Sequence, residues 1–454
     1  MTRRLKALLC CALTVLSVLP LVVVGAVPTA HASAASVEAR GHHPRPVVNR
    51  RVGYFIQWGI YGRGFLVKHL VDNGSAARLT HINYAFGNVS ADGECFIVNQ
   101  PGVGDAWADY QRGFTAEESV DGVADTFDQR LRGNFNQLLE LKSMFPNLRA
   151  HISLGGWTWS QYFSDAARTA ESRERFVRSC IDLYLRGNLP VQDGDPAGGP
   201  GSAFGVFDGI DLDWEWPGSP GHEHNVVRPE DRENFTRLVR EFRRQLDRLE
   251  RETGRDYGLT AFLPADPAKI DAGFQVRHVM RYLDFATVQG YDFHGTWEPT
   301  TNHQSNLFPT RGDPSPATFS VDTTIQAYLR RGAPADKLVL GLPYFGRGWQ
   351  GVPPGPRGNG LFQASSGAAP GVWEAGVNDY KVLSERPGTR YRDRRTGALW
   401  LYDGNEWWTY DDPVLLRQKM AYIRQRGLGG AMIWSLDGDD AQGSLIQAID
   451  RGLR

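Results

Sequence analysis

Three acidic residues occur at every second position in one short segment of the 454-residue chain. They are Asp211, Asp213 and Glu215, within residues 207–217, which read FDGIDLDWEWP. Side chains alternate between the two faces of a β-strand, so the three carboxyl groups are predicted to point the same way. Carboxylates crowded on one buried face repel each other, which raises the pKa of at least one and couples their titrations. A carboxyl group that stays protonated near neutral pH can serve as the general acid that cleaves a glycosidic bond.

An exposed acidic edge and a calcium-binding loop are the alternative interpretations of this segment. Both are disfavoured by the apolar residues Ile210, Leu212 and Trp214, which occupy the intervening positions as they would in a strand.

Eight apolar, strand-like segments recur along the chain, and helical patterns lie between most of them. Strands that alternate with helices form parallel sheets covered on both faces, and eight of them predict an α/β fold of the TIM (β/α)8 barrel type. The predicted strands span residues 52–57, 81–86, 149–154, 207–213, 258–263, 285–291, 338–344 and 431–434. The acidic segment is then the fourth strand and ends where the active sites of such barrels lie.

The interval between the seventh and eighth strands breaks this rhythm. Residues 346–410 are rich in Gly, Pro, Tyr and Trp and show little helical periodicity. They are predicted to form a small α+β insertion domain within a barrel that spans residues 51–454. A long disordered loop is the alternative, which the aromatic residues disfavour because disordered segments contain few of them.

The first 32 residues have the pattern of a secretory signal peptide. Three cations precede an apolar run over residues 7–27, and Ala30-His31-Ala32 fits a cleavage site. A membrane anchor is the alternative. Residues 33–50 are small and polar and are predicted to form a disordered leader. The signal predicts a secreted, extracellular protein with no membrane segment after cleavage, since no later run has about 20 uninterrupted apolar residues.

Composition excludes several classes of partner. The formal net charge of −1 becomes −4 without the signal, which holds three cations and no acids. A near-neutral chain without a basic run gives no case for nucleic-acid binding. Histidines are scattered, so no metal or other cofactor is predicted. Cys95 and Cys180 remain after cleavage and form either a disulfide or two separate buried thiols. A monomer is the default expectation.

Five motifs in register resemble glycoside hydrolase family 18. Asp208 and the three acidic residues match its D-x-x-D-x-D-x-E signature, and residues 153–157 (SLGGW) resemble its S-x-G-G motif. Tyr291-Asp292 is similar to the strand-six motif and Trp434 to the strand-eight tryptophan. Residues 344–349 and 407–412 resemble the borders of the chitinase insertion domain. From about residue 51 to 454, the sequence is identified as a bacterial, secreted family-18 chitinase.

The resemblance implies a role for each matched residue. Glu215 would be the general acid and later the base, and Asp213 would orient the acetamido group of the sugar. Asp211 would hold a proton or hydrogen bond behind Asp213, and Tyr291 would hydrogen-bond the acetamido carbonyl. Arg347 is expected to brace the insertion domain. Substrate contacts are implied for Tyr54, Trp157, Asp208, Asp292 and Trp434, among which Asp208 is the most structural.

The implied reaction is hydrolysis of chitin and chito-oligosaccharides with retention of configuration. Enzymes of this family use the acetamido oxygen of the substrate as the nucleophile, which gives an oxazolinium intermediate. An endo-β-N-acetylglucosaminidase acting on N-glycans is a competing hypothesis, for which the insertion domain is not expected. A non-catalytic chitin-binding lectin is another, for which the acid Glu215 is not expected.

Overall fold

Eight parallel strands close into a barrel in the computed structural model, which describes residues 49–316 and 318–454. The first strand pairs with both the second and the eighth, so the sheet has no free edge within the barrel. The barrel strands are β1 Arg50–Ile56, β2 His81–Val89, β3 Arg149–Gly155, β4 Gly209–Asp213, β5 Gly258–Leu263, β6 Phe285–Val288, β7 Leu338–Pro343 and β8 Gly430–Trp434. The predicted barrel is confirmed, and each strand overlaps its predicted segment.

The predicted signal peptide over residues 1–32 lies outside the described residues, as does most of the predicted leader. Arg50, predicted as the last residue of the leader, is the first residue of β1. Every helix within residues 49–316 and 318–454 is too short or too polar to cross a membrane.

Twelve α-helices are found among the described residues. They are α1 His69–Asp72, α2 Gly133–Met144, α3 Gly156–Trp159, α4 Phe163–Ala167, α5 Ala170–Cys180, α6 Asp231–Thr253, α7 Pro267–Gly273, α8 Val276–Val279, α9 Val321–Arg330, α10 Tyr380–Glu385, α11 Pro413–Arg426 and α12 Ser444–Leu453. The longest, α6, buries Phe235, Leu238 and Phe242 at helical spacing and ends at Gly254, whose φ of 70° suits a left-handed cap.

Strand register brings distant residues into one row inside the barrel. On β4, Asp211 is opposite Ser153 of β3 and Thr260 of β5, while Asp213 is opposite Gly155. All five residues of β4 are buried. The acidic side chains therefore lie inside the barrel, and successive ones approach its carboxyl end.

The chain between β7 and β8 forms a second, antiparallel sheet together with α10, at the position where the sequence predicts an insertion. Its strands are Phe345–Gln350, Gly367–Ala368, Val377–Asp379, Thr389–Asp393, Ala398–Tyr402 and Trp407–Thr409. One face has its own small core around Trp349, Trp400 and Trp407. The other face contributes Leu401 and Trp408 to the main hydrophobic core.

Cys95 and Cys180 form a disulfide, which decides between the two interpretations of the sequence. Cys95 begins the short strand Cys95–Phe96 that pairs with the end of β2, and Cys180 is the last residue of α5. The two Cα atoms are 4.9 Å apart although 85 positions separate them in sequence. The bridge ties the segment after β2 to the helical layer outside β3.

Candidate active site

Asp211 is the deepest of the three acidic residues, and three hydroxyl groups donate to its carboxylate. Tyr54 Oη and Ser153 Oγ donate to Oδ2 over 2.9 and 2.8 Å, and Thr260 Oγ1 donates to Oδ1 over 2.6 Å. Burial raises the pKa of Asp211, and these hydrogen bonds act in the opposite direction. The donors come from β1, β3 and β5, so the barrel itself builds this site.

Asp213 lies one step closer to the carboxyl end of β4 and is 3% exposed. Its Oδ1 has no hydrogen-bond partner in the part of the chain that the structure describes. Burial, together with the negative charges of Glu215 and Asp211, raises the pKa of Asp213 well above its usual value. This carboxyl group therefore favours its protonated form more than an ordinary aspartate does.

Glu215 follows β4 at the mouth of the barrel and is partly exposed. Burial by the surrounding protein raises its pKa to about 8; the charge of Lys269 lowers it and that of Asp292 raises it. The backbone of Glu215 is held on both sides, because its N–H donates to Ser160 Oγ over 2.8 Å and its carbonyl accepts from Asn225 Nδ2 over 2.7 Å. A positioned carboxyl group that is protonated at neutral pH can protonate a leaving oxygen.

Tyr291 and Asp292 follow β6 and face the acidic residues. The Tyr291 side chain is buried, and its ring stacks on Phe262 at 6.3 Å. Burial, then the negative charge of Asp213, raises the pKa of the Tyr291 hydroxyl well above its usual value, so it remains a donor. Asp292 has a φ of 55°, in the left-handed region, and its carboxylate forms a salt bridge with Arg347.

The two predicted tryptophans lie at the carboxyl ends of different barrel strands. Trp434, at the end of β8, stacks on Phe86 at 5.8 Å and meets the edge of Tyr54 at 5.2 Å. Trp157, just after β3, is 49% exposed, and His222 packs against it edge-on at 6.2 Å. Flat, accessible rings of this kind suit the apolar faces of sugars.

The structure corrects the prediction for Asp208. Its carboxylate lies before the first residue of β4, at the amino end of the barrel, and forms salt bridges with Lys142 over 2.7 Å and Arg255 over 3.3 Å. It also accepts from the backbone N–H of Ala150. Asp208 therefore lies at the amino end of the barrel, opposite the end that Glu215 follows, and its carboxylate is engaged by Lys142 and Arg255.

Tyr54 is also placed differently from its predicted role. It is 1% exposed, and its hydroxyl donates to Asp211. Tyr54 therefore supports Asp211 and packs against Trp434. Its side chain is too buried for direct contact with substrate.

Several exposed aromatic residues belong to none of the motifs found in the sequence. Trp58, Tyr61 and Trp107 line a cavity of about 700 Å³, and the rings of Tyr61 and Trp107 stack at 5.9 Å. Trp297 is 58% exposed, and Trp373 lies under the Arg63 guanidinium at 4.9 Å. The one signal in the sequence was the position of Trp58, two residues after a barrel strand.

Comparison with known proteins places this architecture in a family. The sequence model described as Glycosyl hydrolases family 18 matches residues 50–439, and the chain belongs to this family. The catalytic domain of the psychrophilic chitinase B from Arthrobacter TAD20 is 46% identical, with a TM-score of 0.86 over 90% of this chain and 96% of that chain.

Two relatives from Streptomyces extend the comparison. Chitinase 63 of Streptomyces plicatus is 40% identical over 419 residues, which cover 91% of this chain and 62% of the relative. Chitinase C of Streptomyces lividans is 40% identical over 410 residues, which cover 89% and 59%. The chain thus spans about three fifths of the length of these curated relatives.

Proposed function

We propose that this protein is a secreted chitinase that hydrolyses the β-1,4 bonds between N-acetylglucosamine units of chitin and chito-oligosaccharides. The observation that carries the proposal is the row of Asp211, Asp213 and Glu215, which begins inside the barrel and ends at its mouth, where Glu215 is partly exposed. The names of the three relatives compared above support the choice of chitin as substrate. The predicted signal peptide supports an extracellular site of action.

Glu215 acts first as the general acid. Its pKa of about 8 keeps the carboxyl group protonated at neutral pH, so it can transfer the proton to the glycosidic oxygen as the bond to the anomeric carbon breaks. The carboxylate formed in this step then accepts a proton from water, which attacks the intermediate. One residue thus serves both half-reactions.

The nucleophile comes from the substrate. Asp213 and Glu215 are two positions apart on one strand face, so their backbones are about 7 Å apart and both approach the sugar from one side. An enzymatic nucleophile in a retaining glycosidase acts from the face opposite the acid. The acetamido oxygen of the sugar in the −1 site, the site on the non-reducing side of the cleaved bond, therefore attacks the anomeric carbon and forms an oxazolinium ion, which water opens with net retention.

Asp213 and Tyr291 hold the acetamido group during this attack. Asp213 has a free oxygen that accepts from the acetamido N–H and stabilises its developing positive charge. The Tyr291 hydroxyl donates to the acetamido oxygen. Trp434 forms the floor beneath the −1 sugar and Trp157 a platform beyond the cleaved bond, as expected for accessible rings in a carbohydrate groove.

Assays on three substrates test this proposal. Colloidal chitin and chito-oligosaccharides should release reducing ends, with the β-anomer appearing first by NMR, whereas a high-mannose glycoprotein should remain intact. A thiazoline analogue of the cyclic intermediate should inhibit far better than the parent sugar. Cleavage of the glycoprotein alone would instead identify an endo-β-N-acetylglucosaminidase, and binding of chitin without cleavage a lectin. Efficient cleavage of oligomers with glucosamine fixed at −1 would refute substrate assistance.

A further inference from the structure

Thr260 is a hydroxyl donor to Asp211 that none of the motifs contains. It lies on β5, fully buried and in register with Asp211, and its Oγ1 is 2.6 Å from Oδ1. Tyr54 and Ser153 both donate to the other oxygen, Oδ2. Each hydroxyl has a single proton, and all three are directed at Asp211. A carboxyl group with three donors aimed at its two oxygens is bound as an acceptor, that is, as an anion.

His151 completes the arrangement behind Thr260. Its Nδ1 is 3.4 Å from Thr260 Oγ1, and the imidazole is 2% exposed. The ring occupies a slot between Gly209 of β4 and Gly258 of β5, where an added Cβ would come within 2.8 and 2.6 Å of ring atoms. The two glycines thus keep the space that the imidazole fills, directly beneath Thr260.

The protonation state of His151 determines what it can do for Thr260. Burial lowers the pKa of His151 to about 4, so the ring is neutral at physiological pH and has a single N–H. With that proton on Nδ1, His151 donates to a lone pair of Thr260 Oγ1. The hydroxyl proton of Thr260 is then directed at Asp211, so the imidazole fixes the polarity of a short chain from His151 through Thr260 to Asp211.

We propose that Thr260 and His151 are positioning residues that hold Asp211 as the anion of the acidic row. Only the kinetic consequence of this inference rests on the proposed function. Neither Thr260 nor His151 contacts the reacting atoms.

Several titratable groups surround the hydrogen-bonded chain from His151 through Thr260 to Asp211. Asp211 faces Tyr54 and Asp213 inside the barrel, and Asp213 in turn lies near Glu215 and Tyr291. Around His151 are the ring of His81 at 5.3 Å and the charges of Asp208, Asp284, Arg149 and Lys142. Burial raises the pKa of Asp211 and its three hydrogen bonds hold it down, with that from Thr260 first. Loss of this donor therefore disfavours the anion, and Asp211 takes up a proton at a higher pH.

The pH dependence of kcat/KM on a soluble chito-oligosaccharide tests the role of Thr260. Thr260→Val keeps the shape but removes the hydroxyl, and the acid limb should move up by about one pH unit. The alkaline limb, set by Glu215, should stay in place, and kcat should fall more than KM rises. Thr260→Ser should return the acid limb to its wild-type position. An acid limb that does not move in Thr260→Val, or that moves equally in Thr260→Ser, would show that Thr260 only packs.

An NMR titration tests the same inference without an activity assay. Failure of the proposed function and failure of the proposed protonation state can therefore be told apart. In wild-type protein labelled with 13C at the aspartate carboxyl groups, Asp211 should be ionised and Asp213 protonated at neutral pH. Asp211→Asn and Asp213→Asn assign the two signals. A protonated Asp211 beside an ionised Asp213 would overturn the proposal. A 15N spectrum should place the single ring proton of His151 on Nδ1. A proton on Nε2 would show that His151 does not donate to Thr260.

Discussion

Arg347 and Asp292 join the insertion to the mouth of the barrel through two parallel hydrogen bonds. Arg347 Nε is 2.8 Å from Oδ1 of Asp292, and Nη2 is 3.0 Å from Oδ2. Arg347 lies on the first strand of the insertion, and Asp292 directly follows Tyr291. The sequence predicts a sugar contact for Asp292, yet both oxygens already accept from Arg347. The insertion therefore helps to set where this charge lies relative to Glu215.

Arg347→Lys should lower kcat/KM on chito-oligosaccharides by about tenfold or more, because lysine cannot form the paired hydrogen bonds that orient Asp292. Thermal unfolding should change little. Arg392→Lys is the matched control, since Arg392 on an edge strand of the same sheet forms a similar pair with Asp412. Equal losses in the two variants would mean that Arg347 supports the sheet and has no particular effect on the site.

Glu215→Gln should reduce hydrolysis by about a thousandfold, because the amide keeps the shape of the acid but has no proton to transfer. Binding of a chito-oligosaccharide, measured by calorimetry, should remain close to that of the wild type. Activity within about tenfold of wild type would remove Glu215 from the role of general acid.

The alkaline limb of kcat/KM should lie near pH 8, where Glu215 loses its proton. Lys269 lies over the Trp216 ring at 5.6 Å, and its positive charge favours the Glu215 carboxylate. Lys269→Met should therefore raise the pKa of Glu215 and move the alkaline limb to higher pH. Lys68→Met, at a surface ion pair with Asp72, should leave it in place. A shift in the opposite direction would contradict this account.

Removal of the disulfide should destabilise the protein. Titration of the denatured mature protein should find no free thiol. Cys95→Ser/Cys180→Ser should unfold at a lower temperature, with a loss of about 4 kcal/mol in free energy of unfolding for a closed loop of this length. Activity at room temperature should persist, because the bridge lies away from the acidic row. Two titratable thiols in the wild-type protein would disprove the bridge.

Trp373→Ala should weaken cleavage of long chains more than cleavage of short oligomers, since the exposed ring belongs to the insertion and can contact only distant sugars. The KM ratio between long and short substrates is the measurement. Phe204→Ala is the control, because Phe204 is similarly exposed but packs against Arg255 at the amino end of the barrel. The same change in both variants would indicate a general effect on stability.

Much of this molecule follows from local sequence pattern. Alternation of apolar and acidic residues places Asp211, Asp213 and Glu215 on one strand face, and eight strand-like segments separated by helices require a parallel sheet. Aromatic residues between the last two strands indicate an ordered insertion. These features depend on neighbouring residues and on periodicity, both of which can be read directly from the sequence.

Other features depend on which strands become neighbours, and only the tertiary structure decided them. Thr260 and His151 are 49 and 60 positions from Asp211 and belong to no motif. The barrel register alone puts Thr260 opposite Asp211, and His151 opposite Gly209, two residues earlier on the same strand. Asp208 matches the acidic signature, yet it lies at the opposite end of the barrel because the strand carries it there. The exposure of Trp58 and Trp373, and the pairing of Cys95 with Cys180, likewise depend on surfaces that meet only when the barrel closes. Residue types determine what chemistry is available, and strand order and register determine which residues take part.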